Sequence, residues 1–316
     1  MMICIDLNST DPYFNLATEE YLLKNSKGDY LIIGINDPSV IIGKHQVAHR
    51  EADTKFVTEN NIPVIRRISG GGTVYHDPGN INFSFIIQSR AGLQVDFRKY
   101  TEPVIQFLNS LGVNAYFEGR NDLKVKGLKI SGNAEHVYRE RVLHHGTILF
   151  NADLGNLKRS LRGDTSAYKT RAVESNPSSV INLKDLTSGI RNAEEFRSLM
   201  LDFFLEREGN ISGRLTPGEE KEIGSLADSK YRSWEWNYAY GPEYQFTGNF
   251  LIKGKNYSCR LSVRDGIIRE SELIGSEDMS AVSGKLNGCR HMPEEMIQVF
   301  RNENISLSGF DIFRFF

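Results

Sequence analysis

Three consecutive glycines, Gly70, Gly71 and Gly72, stand between two strand-like segments, and no other feature narrows the folds open to this chain as strongly. Glycine reaches positive φ and brings backbone close to backbone or ligand, so an unbroken run of it forms a turn or a cradle rather than a helix interior. Before the run, 64–68 reads as a strand. After it, Ile81, Phe83, Phe85 and Ile87 alternate with the polar Asn82 and Ser84, and period two over that length marks a half-buried strand. The chain is thereby committed to a sheet around the glycines.

Elsewhere the pattern is mixed. Asp11-Pro12 reads as an N-cap with proline at the first helical position, followed by Phe14, Ala17, Tyr21 and Leu22 at helical spacing. Residues 31–35 and 40–42 read as strands around an Asn36-Asp37-Pro38-Ser39 turn, and 51–60 as a helix. Thr101 as cap and Pro103 in the first turn predict a helix with Val104, Phe107, Leu108 and Leu111 on one face, ended by Gly112. Residues 115–151, rich in β-branched residues and glycine, predict several strands. Phe196, Leu199, Met200, Phe203 and Phe204 mark a further helix, and Thr216-Pro217 opens another. Past Gly241-Pro242, Tyr257, Cys259, Leu261 and Val263 alternate up to Asp265-Gly266, a two-residue hairpin signal, and a last helix starts at Pro293. Strands and helices mixed without a βαβ rhythm predict an α+β fold, with a boundary near residue 242 that leaves 1–242 as one domain and 243–316 as a small C-terminal one. Residues 162–179 show no periodicity and are read either as a lid or as a surface connection.

Composition sets the exclusions. Among 316 residues, 38 Lys and Arg against 40 Asp and Glu leave a net charge of -2, so no basic excess draws the chain to nucleic acid or an anionic membrane. The three cysteines, Cys4, Cys259 and Cys289, are too few and too far apart for a disulfide framework or a paired zinc site. No basic stretch leads residues 1–10, and no apolar run approaches the roughly 20 residues of a membrane span. A soluble, cytoplasmic protein is expected.

The chemistry-bearing residues cluster. Arg66 and Arg67 stand just before the glycines: guanidinium groups and a run of exposed backbone N–H groups both suit an anion, although a plain tight hairpin carries about equal weight on the glycines alone. Neither a Walker A loop nor a dinucleotide fingerprint is present. In 119–134, Lys124 and Lys126 share one face of an extended chain, with Lys129 on the other unless Gly127 introduces a bulge; an inward Lys129 beside Ser131 and Gly132 reads as a ligand-binding charge. Asp122 is the best carboxylate there to hold Mg²⁺ beside a triphosphate, with a turn-forming role as the alternative. His144 and His145 are neighbours, so on a strand they point to opposite faces and cannot chelate one ion; a hydrogen-bonded histidine beside Gly146, which leaves room for a ligand, is expected instead. Trp234 and Trp236 read as packing near the domain junction.

Taken in order, 67–76, 119–122, Lys129-Ile130-Ser131-Gly132, His144-His145-Gly146-Thr147, 180–183 and 234–237 resemble lipoate–protein ligases of the LplA type, a branch of the biotin/lipoate ligase superfamily. The resemblance covers about the first 240 residues, and the small C-terminal domain is also of the family type. It implies a large mixed-sheet catalytic domain binding lipoate and ATP, followed by a small α+β accessory domain. It also implies that Lys129 contacts both the lipoate carboxylate and the ATP phosphate. Arg67, Gly72, Thr73, Val74 and Tyr75 then match the ATP-binding segment, and Gly71, His76, His145 and Gly146 join Lys129 around lipoate. The implied reaction is lipoate plus MgATP giving lipoyl-AMP and pyrophosphate, then transfer to a lysine of a lipoyl domain, as in 2-oxoacid dehydrogenase E2 subunits and glycine cleavage H protein. Three alternatives stand beside it: an octanoyl or lipoyl transferase, which needs a cysteine nucleophile that 5–258 do not contain; a biotin ligase, expected to carry arginines inside its phosphate loop rather than before three glycines; and a non-enzymatic lipoate or nucleotide sensor.

Overall fold

The computed structural model describes residues 1–89, 95–252, 254–275, 278–303 and 312–316. The chain runs through β1 (Ile3–Leu7), α1 (Pro12–Asn25), β2 (Tyr30–Ile35), β3 (Ser39–Ile42), α2 (Ala48–Glu51), α3 (Thr54–Glu59), β4 (Val64–Arg66), β5 (Val74–His76) and β6 (Asn80–Gln88). After α4 (Phe97–Ser110) come β7 (Tyr116–Glu118), β8 (Asp122–Val125), β9 (Leu128–Tyr138), β10 (Arg141–Leu149), α5 (Leu154–Ser160), β11 (Tyr168–Thr170), α6 (Ala193–Leu205), β12 (Ile211–Gly213) and α7 (Pro217–Leu226). The last elements are β13 (Tyr244–Ile252), β14 (Lys255–Arg264), β15 (Ile267–Gly275), α8 (Ser280–Leu286) and α9 (Pro293–Asn302). Two compact units result: Met1–Lys44, Ile65–Lys158 and Ser175–Arg232 form the first, and His45–Val64, Arg159–Glu174 and Ser233–Phe316 the second.

The first unit is built on an eight-stranded sheet in the order β12-β1-β2-β6-β10-β9-β8-β7. β1 pairs in parallel with β2 and β12, joined to β2 by a crossover through α1, and the other neighbours are antiparallel. This is a mixed sheet and an α+β fold. Period two separates its faces: Leu31, Ile33, Phe83, Phe85 and Ile148 join Val104, Phe107 and Leu108 of α4 and Phe196, Met200 and Phe204 of α6 in one core. The opposite face takes α1, whose Asp11 cap accepts from the Tyr13 amide at 3.0 Å with Pro12 in the first turn. A small sheet, β4-β3-β5, frames the glycines.

Two local expectations change. α4 is capped by Asp96, which accepts from the Lys99 amide at 3.0 Å. Thr101 therefore lies inside the helix, donating its hydroxyl to the Phe97 carbonyl at 2.7 Å, and Pro103 is interior too; Asp and Thr carry the same capping chemistry, and only the fold chose between them. Residues 162–179 also contain a strand. β11 forms the edge of the second unit's sheet, ordered β11-β13-β14-β15, and Tyr168 is buried with Phe246, Leu261, Phe300 and Phe315. Asp265 and Gly266, at φ 53° and 67°, make the expected hairpin turn between β14 and β15. Among the described residues no helix is long and apolar enough to cross a membrane.

Candidate functional site

The site face is decided by one extra residue. Along β8 and β9, Asp122 pairs with Gly132 and Leu123 with Ser131, but the next step pairs Lys124 with Lys129, so Ile130 is a bulge. The bulge inverts the alternation and sets Lys129 on the same face as Gly132, Lys124 and Asp122, while Ile130 turns into the core. Lys126 and Gly127, at φ 51° and 80°, form the hairpin turn itself. A bulge thus exists, at Ile130, three residues past Gly127 rather than at it, and the lysine outside both strands is Lys126. Lys124 is engaged by Glu118 at 2.5 Å. The Lys129 ammonium lies 2.8 Å from Asp122 Oδ1, both half-buried, and a Cβ on Gly132 would stand 3.2 Å from it. The end of 162–179 and the residues just after it are stitched to the same strand: the Lys129 amide donates to the Ser179 carbonyl at 2.9 Å and its carbonyl accepts from Ile181 at 3.0 Å.

Past Gly132 the face continues through Ala134 on β9, His145 and Thr147 on β10 and Ser84 on β6, by the pairings of Ala134 and Ser84 with His145. The glycine run lies over Ala134. Gly71 has φ 89°, a conformation that suits glycine, and a Cβ there would approach Arg67 Nη2 to 3.0 Å and the Ala134 methyl to 3.7 Å. Arg67 is buried and spends its guanidinium on the loop: Nη2 donates to the Gly70 and Gly72 carbonyls at 2.6 and 2.7 Å, Nη1 to Ile41 at 3.1 Å and Nε to Ser69 Oγ at 2.9 Å. Burial lowers its pKa to about 10, with Glu19 acting against that shift. The Thr73 amide donates to Ser175 Oγ at 2.8 Å. Val74 and Tyr75 belong to β5, and the Tyr75 ring is buried against Val40 of β3. Arg66 is also buried, donating to the Gly43 and Lys44 carbonyls, both at 3.1 Å.

Three further candidates meet here. His76 accepts at Nδ1 from the Asn36 amide at 2.9 Å, which puts its proton on Nε2, and that atom is buried with no protein partner among the described residues; burial depresses its pKa to about 3. A bound oxygen would satisfy this donor. His145 has both nitrogens engaged, Nε2 with Ser69 Oγ at 2.6 Å and Nδ1 with Glu19 Oε2 at 2.9 Å, so a ligand meets only its ring. Gly146 does not leave open space: a Cβ there would lie 2.2 Å from Asn133 Oδ1 and 2.5 Å from the Phe83 ring, because Gly146 faces the core side of the sheet. His144, as expected, points opposite to His145, into aromatic rings, with Nδ1 2.9 Å from Glu135. Ser69 lies within 67–76 and Ser175 within 162–179, but Glu19 and Ser84 carry no motif, and the one signal for Glu19 is its place, with Glu20, among the buried positions of α1.

Among the described residues no group of three or more His, Cys, Asp or Glu side chains is arranged to hold a metal. Asp122 with Glu118 across from it in β7 supplies two carboxylates on the site face, a set that suits Mg²⁺ only when phosphate oxygens and water complete the shell.

The family described as "Lipoyl protein ligase A/B catalytic domain" matches residues 11–205. Lipoate–protein ligase 1 of Staphylococcus aureus is 36% identical over 98% of this chain and 94% of its own. A lipoate protein ligase structure from T. acidophilum with bound lipoic acid is 27% identical at a TM-score of 0.64, covering 75% of this chain and 98% of its own. A lipoate–protein ligase A structure bound with ATP is 27% identical at a TM-score of 0.62, covering 75% and 97%. With a family match across most of the sheet-bearing unit and a full-length relative above 30% identity, this chain belongs to the lipoyl protein ligase A/B family, among its lipoate–protein ligases.

Proposed function

We propose that Lys129 is the catalytic residue on which the carboxylate of lipoate and the α-phosphate of ATP meet, and that the chain forms lipoyl-AMP before passing the lipoyl group to a lysine of a lipoyl domain. One observation carries the reading: an ammonium 2.8 Å from Asp122, over a floor of Gly132 and Ala134, beside a glycine run braced by Arg67. A carboxylic acid with a pKa of about 4 to 5 is ionised at neutral pH and does not acylate an amine. Its oxygen therefore attacks the α-phosphorus, the bond to pyrophosphate breaks, and a mixed anhydride remains. An unprotonated acceptor lysine then attacks the acyl carbon and AMP leaves. Both steps bring negative charge onto a small volume, where a fixed cation and preorganised N–H groups lower the barrier.

In this scheme Thr73, Val74 and Tyr75 with Gly72 line the nucleotide, and Arg67 acts by holding their loop. Gly71 and His76 face lipoate, with His145 as a wall, and Gly146 serves by packing beneath. Asp122 would hold Mg²⁺, whose chemistry there is neutralisation of triphosphate charge. Residues 1–242 are read as the lipoate- and ATP-binding part and 243–316 as accessory, with lipoyl domains of 2-oxoacid dehydrogenase E2 subunits and H protein as acceptors. Three free cysteines fit a reducing cytoplasm. The test is exchange of labelled pyrophosphate into ATP, which is expected with lipoate and absent with biotin; octanoate measures selectivity. No exchange with lipoate would defeat the reading.

A further inference from the structure

Four side chains form a continuous buried chain on the site face: Arg67, Ser69, His145 and Glu19. Their hydrogen bonds have a forced direction. Arg67 Nε can only donate, so Ser69 Oγ accepts it at 2.9 Å. At the other end the Glu19 carboxylate accepts the Ser84 hydroxyl on Oε1 at 2.5 Å and faces His145 Nδ1 through Oε2 at 2.9 Å. A carboxylate oxygen and an unprotonated ring nitrogen would repel, so Nδ1 carries the proton. In the neutral ring Nε2 is then an acceptor, and the Ser69 hydroxyl donates to it at 2.6 Å. The order is a guanidinium, a serine, an imidazole and a carboxylate, and in each of the three bonds the proton sits on the Arg67 side, Nδ1–H to Glu19 included. Reversing the imidazole would turn an N–H onto Ser69 and expose a lone pair to Glu19.

The chain joins distant pieces of sequence. Glu19 sits on α1, His145 on β10, and Ser69 opens the glycine run, whose Gly70 and Gly72 carbonyls are held by the same Arg67. Two buried opposite charges are thus bridged rather than touching, and the bridge passes through the residue from which the loop begins. A network of this kind stiffens what it contains when every member is satisfied.

We propose that Glu19 is a positioning residue for the glycine run: by fixing the tautomer of His145 it directs the Ser69 hydroxyl, keeps Ser69 Oγ an acceptor for Arg67, and so holds the Gly70 and Gly72 carbonyls inward before any substrate binds. Its consequence for activity rests on the ligase reading of the site, whereas the positioning itself is a property of the free protein.

Two measurements test it. In the unaltered protein, nitrogen-15 NMR of the histidine side chains, with His145 assigned by the loss of its signals in His145→Gln, is expected to show the proton on Nδ1 and an unprotonated Nε2. An Nε2–H tautomer, or a ring protonated on both nitrogens at neutral pH, would overturn the proposal. Next, amide hydrogen exchange at residues 70–73 is compared in Glu19→Gln, Ser69→Ala and the double variant. Each single change is expected to speed exchange about tenfold, the scale of one lost charge-assisted hydrogen bond, and the double variant no more than either. Additive effects, or a Glu19→Gln loop indistinguishable from the original, would refute action through Ser69. Glu19→Asp should restore part of the protection if the carboxylate matters. Neither readout uses catalysis: a failed pyrophosphate exchange with an intact cycle would remove the ligase reading and leave the positioning role, and the converse result would do the opposite.

Discussion

His144 and His145 are adjacent in sequence and live in different chemistries. His145 faces the site, both nitrogens tied into a polar chain that ends on the glycine run. His144 faces the core, its ring centroid between 5.2 and 6.4 Å from those of Tyr100, Phe97, Phe83 and Phe85, with Nδ1 hydrogen-bonded to Glu135. The same alternation divides the whole sheet. On one face small residues, Gly132 and Ala134, leave room between Lys129 and the His145 chain; on the other, phenylalanines fill all space down to Gly146, where a Cβ does not fit. A strand residue's role is therefore fixed by which face it takes, and around Lys129 the face is set by the single extra residue Ile130.

The widest separation between the faces should come from Lys129→Ala, which is expected to reduce lipoyl-adenylate formation by on the order of 100-fold, the usual scale for a principal charge-stabilising donor, with the unfolding midpoint unchanged. Lys124→Ala and Lys126→Ala should stay close to the original in the same assay, and a Lys126 requirement would place the site on the turn instead. Glu135→Leu addresses the core face: it strands the His144 Nδ1 in an apolar surround and should cost about 1–3 kcal/mol in denaturant unfolding. Adding His144→Phe should recover most of that loss, since replacing both partners by apolar groups removes the unsatisfied atom. Adenylation per folded molecule should hold through both changes.

Acid should act on both faces with one sign. Burial lowers the pKa of His144, and takes that of His76 to about 3. Each is then neutral in the fold and protonated in the unfolded chain below its ordinary value of about 6.5. Stability from these residues is fully present above that value and falls as pH drops toward the folded pKa, by at most about 1.4 kcal/mol per pH unit for each histidine. Urea midpoints from pH 7 to 4.5 would show it, and a smaller slope is expected in His76→Gln. The smallest effect expected is none. Replacing Cys4, Cys259 and Cys289 by serine should leave ATP-dependent lipoyl transfer intact, because Cys4 and Cys259 are buried and burial raises the pKa of all three thiols, to about 11 and 12 for those two. Transfer from a lipoyl thioester without ATP, lost in that variant, would replace adenylation by an acyl-enzyme route.

What could be read in the sequence was what local chemistry decides. The Asp11-Pro12 start of α1, the alternation in 81–87, the Thr216-Pro217 start of α7 and the Asp265-Gly266 turn all formed as their residues require. The glycine run, Lys129 and Asp122 stand out as candidates for an anion site for the same reason. Long-range pairing was not visible. The Ile130 bulge depends on the register of β8 against β9, so the sequence left the face of Lys129 open. Glu19 meets His145 across 126 positions, and nothing near either residue announces the other. β11 within 162–179 has only three residues, too short for a period, and exists because β13 offers it an edge. Residues 45–64 and 159–174 join the second unit without any shift in composition to mark the exchange.

The separation of the faces is tested most directly by single-turnover formation of lipoyl-AMP, measured beside unfolding free energy, in Lys129→Ala and in the Glu135→Leu single variant. The first variant is expected to lose the adenylate on the order of 100-fold at unchanged stability, and the second to lose stability while its folded fraction makes adenylate at the original rate. Equal losses of rate in both, or a Lys129→Ala protein that forms lipoyl-AMP normally, would contradict it.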